Sequence, residues 1–177
     1  MIVVMLGQIA SGKTVQAEYL AEEYGAARLS LGAVLRSKFP DDPRLEDGEL
    51  LPAAMVEEAV SHFFAQIYGG DKDELIVIDG FPRTLQQKEW LDQYLTTHDL
   101  KVNKALVFEV EPEEVDKRLS IRQRVDDTAE AIAQRKLVFY EKVQYVIEAY
   151  ERDGIVFRID GNDSIEAVSD RVSALIS

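Results

Sequence analysis

Apolar residues fall along this chain in short blocks separated by longer stretches of helical spacing. Ile2-Val3-Val4-Met5-Leu6 is the first block, and Leu75–Asp79, Ala105–Val110 and Ile155–Asp160 repeat its form. A shorter candidate strand, Ala27–Ser30, lies between the first two. Three of the five runs are continuously apolar, as central strands covered on both faces should be. After the first block, Ala17, Leu20, Ala21 and Tyr24 recur at helical spacing. A second helical pattern starts near Pro52 and carries Val56, Ala59, Val60, Phe63 and Ile67. Others start near Thr84 and after Pro112, a residue suited to a first helical turn. The longest runs from about Thr128 to Arg152, with Ile132, Tyr140, Val143, Ile147 and Tyr150 on its apolar row, and a last helix follows Ser164. Strands alternating with helices predict an α/β fold: a five-stranded parallel sheet with helices on both faces, in three layers. Pro40-Asp41-Asp42-Pro43 reads as a turn-rich connection. No internal repeat breaks the pattern, and 177 residues suit one domain.

The first strand runs into Gly7-Gln8-Ile9-Ala10-Ser11-Gly12-Lys13-Thr14, and a helical pattern follows at once. This is the phosphate-binding spacing G-x-x-x-x-G-K-[ST] in its strand-to-helix context. Two glycines permit a tight turn whose N–H groups converge on phosphate oxygens. The positive end of the next helix faces the same anion. Lys13 is placed to reach the β- and γ-phosphates, and the Thr14 hydroxyl to touch Mg²⁺.

Composition narrows the rest. The net charge is −13, which argues against nucleic acid or an anionic membrane as partner. In so acidic a chain, the six basic residues Lys117, Arg118, Arg122, Arg124, Arg135 and Lys136 suggest a local anion site. The absence of cysteine excludes disulfides and thiolate-held zinc. His62 and His98 are singletons without metal-ligand spacing and read as surface residues. No apolar stretch approaches a membrane span, and no basic leader precedes the first strand, so a cytoplasmic location is expected.

A second anchor is Asp79, at the C-terminal end of a buried strand, the edge where open parallel sheets bind ligands. Beside the phosphate loop it is placed to hold Mg²⁺ through water. The string continues Gly80-Phe81-Pro82-Arg83-Thr84-Leu85-Gln86-Gln87. Asp-Gly-Phe-Pro-Arg-Thr-x-x-Gln resembles the motif of adenylate kinases and related nucleoside monophosphate kinases. The resemblance extends further. Leu29–Arg36 is similar to the family's Leu-Ser-Thr-Gly-Asp-x-Leu-Arg, and Gly48-Glu49-Leu50-Leu51-Pro52 resembles the segment lining the monophosphate site. Arg118, Arg122, Arg124, Asp126, Asp127 and Arg135 fall on the family's lid motifs.

The resemblance implies a monomeric P-loop kinase that moves the γ-phosphoryl group of Mg·ATP to AMP, giving two ADP. The donor set is Gly7, Gln8, Ile9, Ala10, Ser11, Gly12, Lys13, Thr14 and Val15, with Arg118 on the adenine and Arg122 on phosphates. The acceptor set is Ser30, Leu31, Arg36, Leu51, Gly80, Arg83 and Gln87, with Arg36 and Arg83 on phosphate and Gln87 on the base. Arg124 and Arg135 close over the transferring group, and Lys13, Arg83, Arg124, Arg135 and Asp79 carry the chemistry. Thr14 and Asp79 hold Mg²⁺. Arginine suits this task because it stays charged and presents a flat fork to phosphate. A monophosphate-binding segment over about 30–60 and a lid over about 119–128 would be the moving parts. UMP or CMP as acceptor, or a non-catalytic ATP-binding module, are the alternatives. Read without the family, Arg118 and Arg122 could pair with Glu114 and nearby acids on a solvated face. Asp126 and Asp127 could cap the helix starting near Thr128 as well as orient arginines.

Five features depart from the family pattern: the phosphate loop, positions 31 and 33, and the lengths of two connections. Ala10 stands where a glycine is usual, and Thr14-Val15 replaces Gly-Thr. Leu31 replaces the threonine facing the acceptor base, and Ala33 replaces an acid near the metal. The Arg36–Gly48 connection is short, and only Gln123 separates Arg122 from Arg124. So small a lid excludes water poorly. An ATPase background above that of a full-lidded relative, or a slower turnover, is therefore expected; an ATPase rate indistinguishable from zero beside normal transfer would contradict it.

Overall fold

The structure, a computed structural model, describes residues 1–67, 74–122 and 127–176. Five strands form one parallel sheet: β1 (Ile2–Gly7), β2 (Ala27–Ser30), β3 (Ile76–Asp79), β4 (Val102–Glu109) and β5 (Val156–Asp160). Their order across the sheet is β2-β3-β1-β4-β5. The chain leaves β1 for β2, returns to insert β3 between them, then crosses to the other side with β4. The reversal falls beside β1, and the carboxyl ends there frame a crevice of the kind that takes ligands in open α/β sheets. Met5 and Asp79 are register partners, which sets Asp79 beside the start of the phosphate loop.

The strands form because both faces are covered. Along β1 the period-2 alternation sends Ile2, Val4 and Leu6 to one core and Val3 and Met5 to the other, all at most 2% exposed. The first core packs α4 (Ala53–Ile67), α5 (Leu85–Thr96) and α8 (Gln144–Arg152) against the sheet. The second packs α1 (Lys13–Tyr24) and α9 (Ile165–Ile176). Burying each such Val, Leu or Ile contributes about 1.5–3 kcal/mol. Lys88 on α5 ties α5 to the end of α8: its ammonium lies 2.7 Å from both Asp92 and Asp153 and stands over the Tyr150 ring.

The expected elements are present, with shifted edges and additions. β4 begins three residues early, at Val102. In α4 the core row is Val56, Val60 and Phe64, and Phe63 lies half-buried against it. Two helices were not expected: α2 (Leu31–Lys38), directly after β2, and α3 (Pro43–Glu46). The second replaces the turn read at Pro40–Pro43: Asp42 accepts a hydrogen bond from the Arg44 amide, and Pro43 takes the first helical position. α6 spans Pro112–Arg122. The long helix is α7 (Ala129–Val138) continued into α8 through a π-helical segment, Phe139–Val143. That wider turn sets the buried row five residues apart, from Val138 to Val143, and turns Tyr140 outward at 57% exposure. His62 and His98 are exposed, and Trp90 stacks on Tyr94 at 5.2 Å against the core.

Candidate active site

The loop between β1 and α1 is shaped by its glycines. A Cβ on Gly7 would come within 2.7 Å of the Phe108 carbonyl oxygen and 2.8 Å of Ser11 Oγ, so only glycine fits. Gly12 has φ 92°, in the region that favours glycine, and caps α1. Ala10 is also left-handed, with φ 58°. An alanine there costs on the order of 1–2 kcal/mol relative to its ordinary conformations.

Lys13 folds back over this loop. Its ammonium donates to Gly7 O (2.8 Å), Gln8 O (2.7 Å) and Ser11 Oγ (2.9 Å). Burial lowers its pKa to about 8; Asp79 opposes the shift, while Arg83 and Arg122 add to it. Bound phosphates would pull that pKa back up, so ATP binding above pH 8 takes up a proton. ATP affinity should therefore hold steady below about pH 8 and fall as pH rises through it. Calorimetric titration between pH 7 and 9.5 checks this; a flat Kd would contradict it.

Thr14 Oγ1 donates to Asp79 Oδ2 at 2.8 Å, joining the first turn of α1 to the end of β3. Asp79 is 5% exposed. A hydroxyl and a carboxylate are hard oxygen ligands, of the kind Mg²⁺ takes beside substrate phosphates. Among the described residues, no group of three or more His, Cys, Asp or Glu could hold a metal alone. The pair thus fits Mg²⁺ that arrives with a nucleotide.

One cleft of about 320 Å³ runs from this loop across the sheet edge. Gly7, Ile9, Lys13, Thr14, Ser30, Leu31, Arg36, Leu51, Asp79, Gly80, Arg83, Gln87, Arg122 and Arg135 all line it. Gln8, Ala10, Ser11, Gly12, Val15 and Arg118 do not. Gln8 Nε2 instead donates to Val110 O, and Val15 is exposed on the first turn of α1. Arg124, Gln123 and Asp126 lie outside the described residues.

The arginines converge from separate elements. Arg83 Nε donates to Gly80 O at 2.7 Å. Burial lowers the Arg83 pKa, Asp79 opposes, and Arg135 and Arg36 lower it further, which reflects three cations facing one pocket. Asp127, whose side chain is 6% exposed, holds two others: Arg135 Nη1 donates to it at 2.9 Å and Arg122 Nη2 at 3.0 Å. Asp127 is not the cap of α7. Thr128 is, its side chain accepting from the Ala131 amide. Arg118 does pair with Glu114 (2.9 Å) one helical turn away, and it also donates to Gly161 O (2.6 Å) beside the loop.

Three participants were not assigned from sequence. Glu18, one turn beyond Thr14 on α1, pairs with Arg28 of β2 at 3.0 Å, and both line the cleft. Their i, i+4 relation to Thr14 was the available signal for Glu18; nothing local marks Arg28. Phe139, on the π-helical segment, lines the same cleft.

A glycine-shaped loop feeding a helix, with a Thr–Asp pair at the sheet's switch point and arginines across one cleft, defines a P-loop nucleotide-binding α/β protein. Comparison narrows this. The sequence model described as adenylate kinase matches residues 5–155. Adenylate kinase of Thermus thermophilus is 31% identical over 186 residues, covering 98% of this chain and 96% of that protein. Adenylate kinase of a Synechococcus species is 32% identical, covering 97% and 96%. Adenylate kinase of Thermotoga maritima is 30% identical over 213 residues, covering 98% and 96%. The chain belongs to the adenylate kinase family.

Proposed function

We propose that this cleft transfers the γ-phosphoryl group of ATP to AMP, reversibly, giving two ADP. Membership of the family makes the chain a phosphotransferase acting on nucleoside monophosphates. The observation that carries the fuller reading is that Lys13, Arg36 and Arg83 line a single cleft. An AMP phosphate oxygen forms the new bond to the γ-phosphorus as the bond to the β–γ bridging oxygen breaks, and ADP leaves with that electron pair. Such a displacement needs alignment and charge stabilisation rather than a protein nucleophile.

In this reading the loop amides and Lys13 hold donor phosphates. Arg36 and Arg83 hold the acceptor phosphate, Gln87 the acceptor base, and Arg122, Arg124 and Arg135 the transferring group. Asp127 keeps Arg122 and Arg135 aligned until phosphate replaces it as their partner. Thr14 and Asp79 hold Mg²⁺, which when bound offsets charge on the phosphate oxygens. The residues over about 30–60 and 119–128 close over the nucleotides and exclude water. A monomer in the cytoplasm completes the proposal; the cysteine-free sequence supports the location. Among the described residues no helix is long and apolar enough to cross a membrane.

The test is ADP formation from Mg·ATP with AMP, dAMP, CMP, UMP or GMP, each against a blank without acceptor. AMP-dependent turnover well above the others is expected. Preference for CMP or UMP would keep the chemistry and overturn the acceptor. No acceptor above the blank, with ATP still raising the melting temperature, would leave a binding module.

A further inference from the structure

Two polar rungs join α1 to the sheet inside the cleft. The first is the hydrogen bond from Thr14 to Asp79 at the end of β3. The second is the ion pair of Glu18 with Arg28 of β2, at 3.0 Å. Their spacing follows from the elements that carry them. Glu18 lies four residues after Thr14 on α1, so the two side chains are neighbours on one helix face, with Cβ atoms about 5–6 Å apart. On the sheet, Ser30 is the register partner of Asp79, and Arg28 lies two residues earlier on the same face of β2, about 6.6 Å down the strand. The two steps match, so the second rung forms directly beneath the first. Thr14, Glu18, Arg28 and Asp79 all line the cleft.

The second rung is closed by a single bond, Arg28 Nη1 to Glu18 Oε1. Among the described residues nothing donates to Glu18 Oε2. The Glu18 side chain is 50% exposed, and an ion pair so open to water adds little to stability. Mg²⁺ beside substrate phosphates keeps several of its waters, and those waters need acceptors. The acids lining the cleft among the described residues are Glu18, Glu49 and Asp79. Glu49 belongs to the segment after α3, so Glu18 is the one carried by the helix that bears Thr14.

We propose that Glu18 is a positioning residue for the metal–nucleotide: its open carboxylate oxygen accepts from water on Mg²⁺ held at Thr14 and Asp79, and Arg28 sets how much of its charge the metal feels. The proposal rests on the Mg²⁺ assignment to that pair and not on the choice of acceptor. Arg28 draws on the same carboxylate and adds a positive charge that repels the dication. The two members of the pair therefore act on the metal in opposite directions. A pair that merely braced α1 against β2 would give the same loss from either side.

Calorimetry with the β,γ-imido analogue of ATP, in Mg²⁺ and in EDTA at equal ionic strength, gives two dissociation constants whose ratio reports the metal's contribution. In Glu18→Gln that advantage of Mg²⁺ should fall by about 3–10-fold, the order expected of one charge acting on a dication through water at this range. In Arg28→Gln it should rise by a similar factor. Without metal, Glu18→Gln should bind the analogue at least as tightly as the unmodified protein, because a negative charge has left the cleft. Both melting temperatures should move by less than about 4 °C. An unchanged ratio in Glu18→Gln, or a fall of the same size in both variants, overturns the proposal. Equal binding of the analogue by the unmodified protein with and without Mg²⁺ overturns the metal assignment, and the proposal falls with it. Failure of AMP as acceptor touches neither result.

Discussion

Lys13→Ala should abolish phosphoryl transfer and leave the fold intact. The expected loss in kcat/KM is at least ~10²–10³-fold, the usual consequence of removing one aimed donor from a site where charge develops. Lys13 is the cation of the phosphate loop, and no other lysine lines the cleft among the described residues. The fold should survive because the ammonium's three bonds all fall within its own loop, to Gly7, Gln8 and Ser11. Its depressed pKa says more. Below pH 8 the side chain is charged in both folded and unfolded chains, and burial penalises it only in the folded one. Removing it therefore removes a penalty, and the melting temperature at pH 7 should hold or rise. That penalty is relieved as pH climbs above 8, so any gain should shrink there. Retained turnover would refute the donor-site assignment. Lost turnover with a collapsed melting temperature would reduce Lys13 to a structural part.

Arg83→Ala should separate the two halves of the cleft. Loss of a charge-assisted phosphate contact costs about 1.5–3 kcal/mol, so KM for AMP should rise by roughly 10–150-fold. KM for ATP should change by less than about threefold, because the donor loop does not touch Arg83 through any hydrogen bond described. The variant is a clean one at the base: Gln87 Oε1 is held by the backbone N–H of residue 83, which alanine keeps. Steady-state kinetics with each nucleotide varied at saturating partner read the split. Equal losses for both nucleotides would place Arg83 in the transition state alone or in the scaffold.

What the sequence made legible follows from what it encodes locally. The strands were readable because burial on both faces demands unbroken apolar runs such as Leu75–Ile78, and the phosphate loop because its glycines and Lys13 are contiguous. Asp79 was readable as a strand's last residue, and its meeting with Thr14 followed from a parallel sheet. Three things were not. α2 begins at Leu31 behind Ser30, which makes no side-chain capping bond, so its start carries no mark. The π-helical segment has no composition of its own, so helical spacing alone puts Tyr140 on the inner row, whereas the structure turns it outward. Pairings between distant elements, Glu18 with Arg28 and Asp127 with Arg122 and Arg135, depend on how helices seat on the sheet. Asp127 shows the limit well. Its place before a helix suggested capping, yet Thr128 caps, and the carboxylate is left to face arginines.

The fate of the γ-phosphoryl group tests the central claim most directly. ATP labelled in its γ-phosphate, mixed with AMP, Mg²⁺ and the protein, should yield ADP labelled at the β-position, with label in inorganic phosphate confined to a minor background. Label that remains in ATP, or appears in inorganic phosphate whether or not AMP is present, would contradict a single cleft that holds both nucleotides for direct transfer.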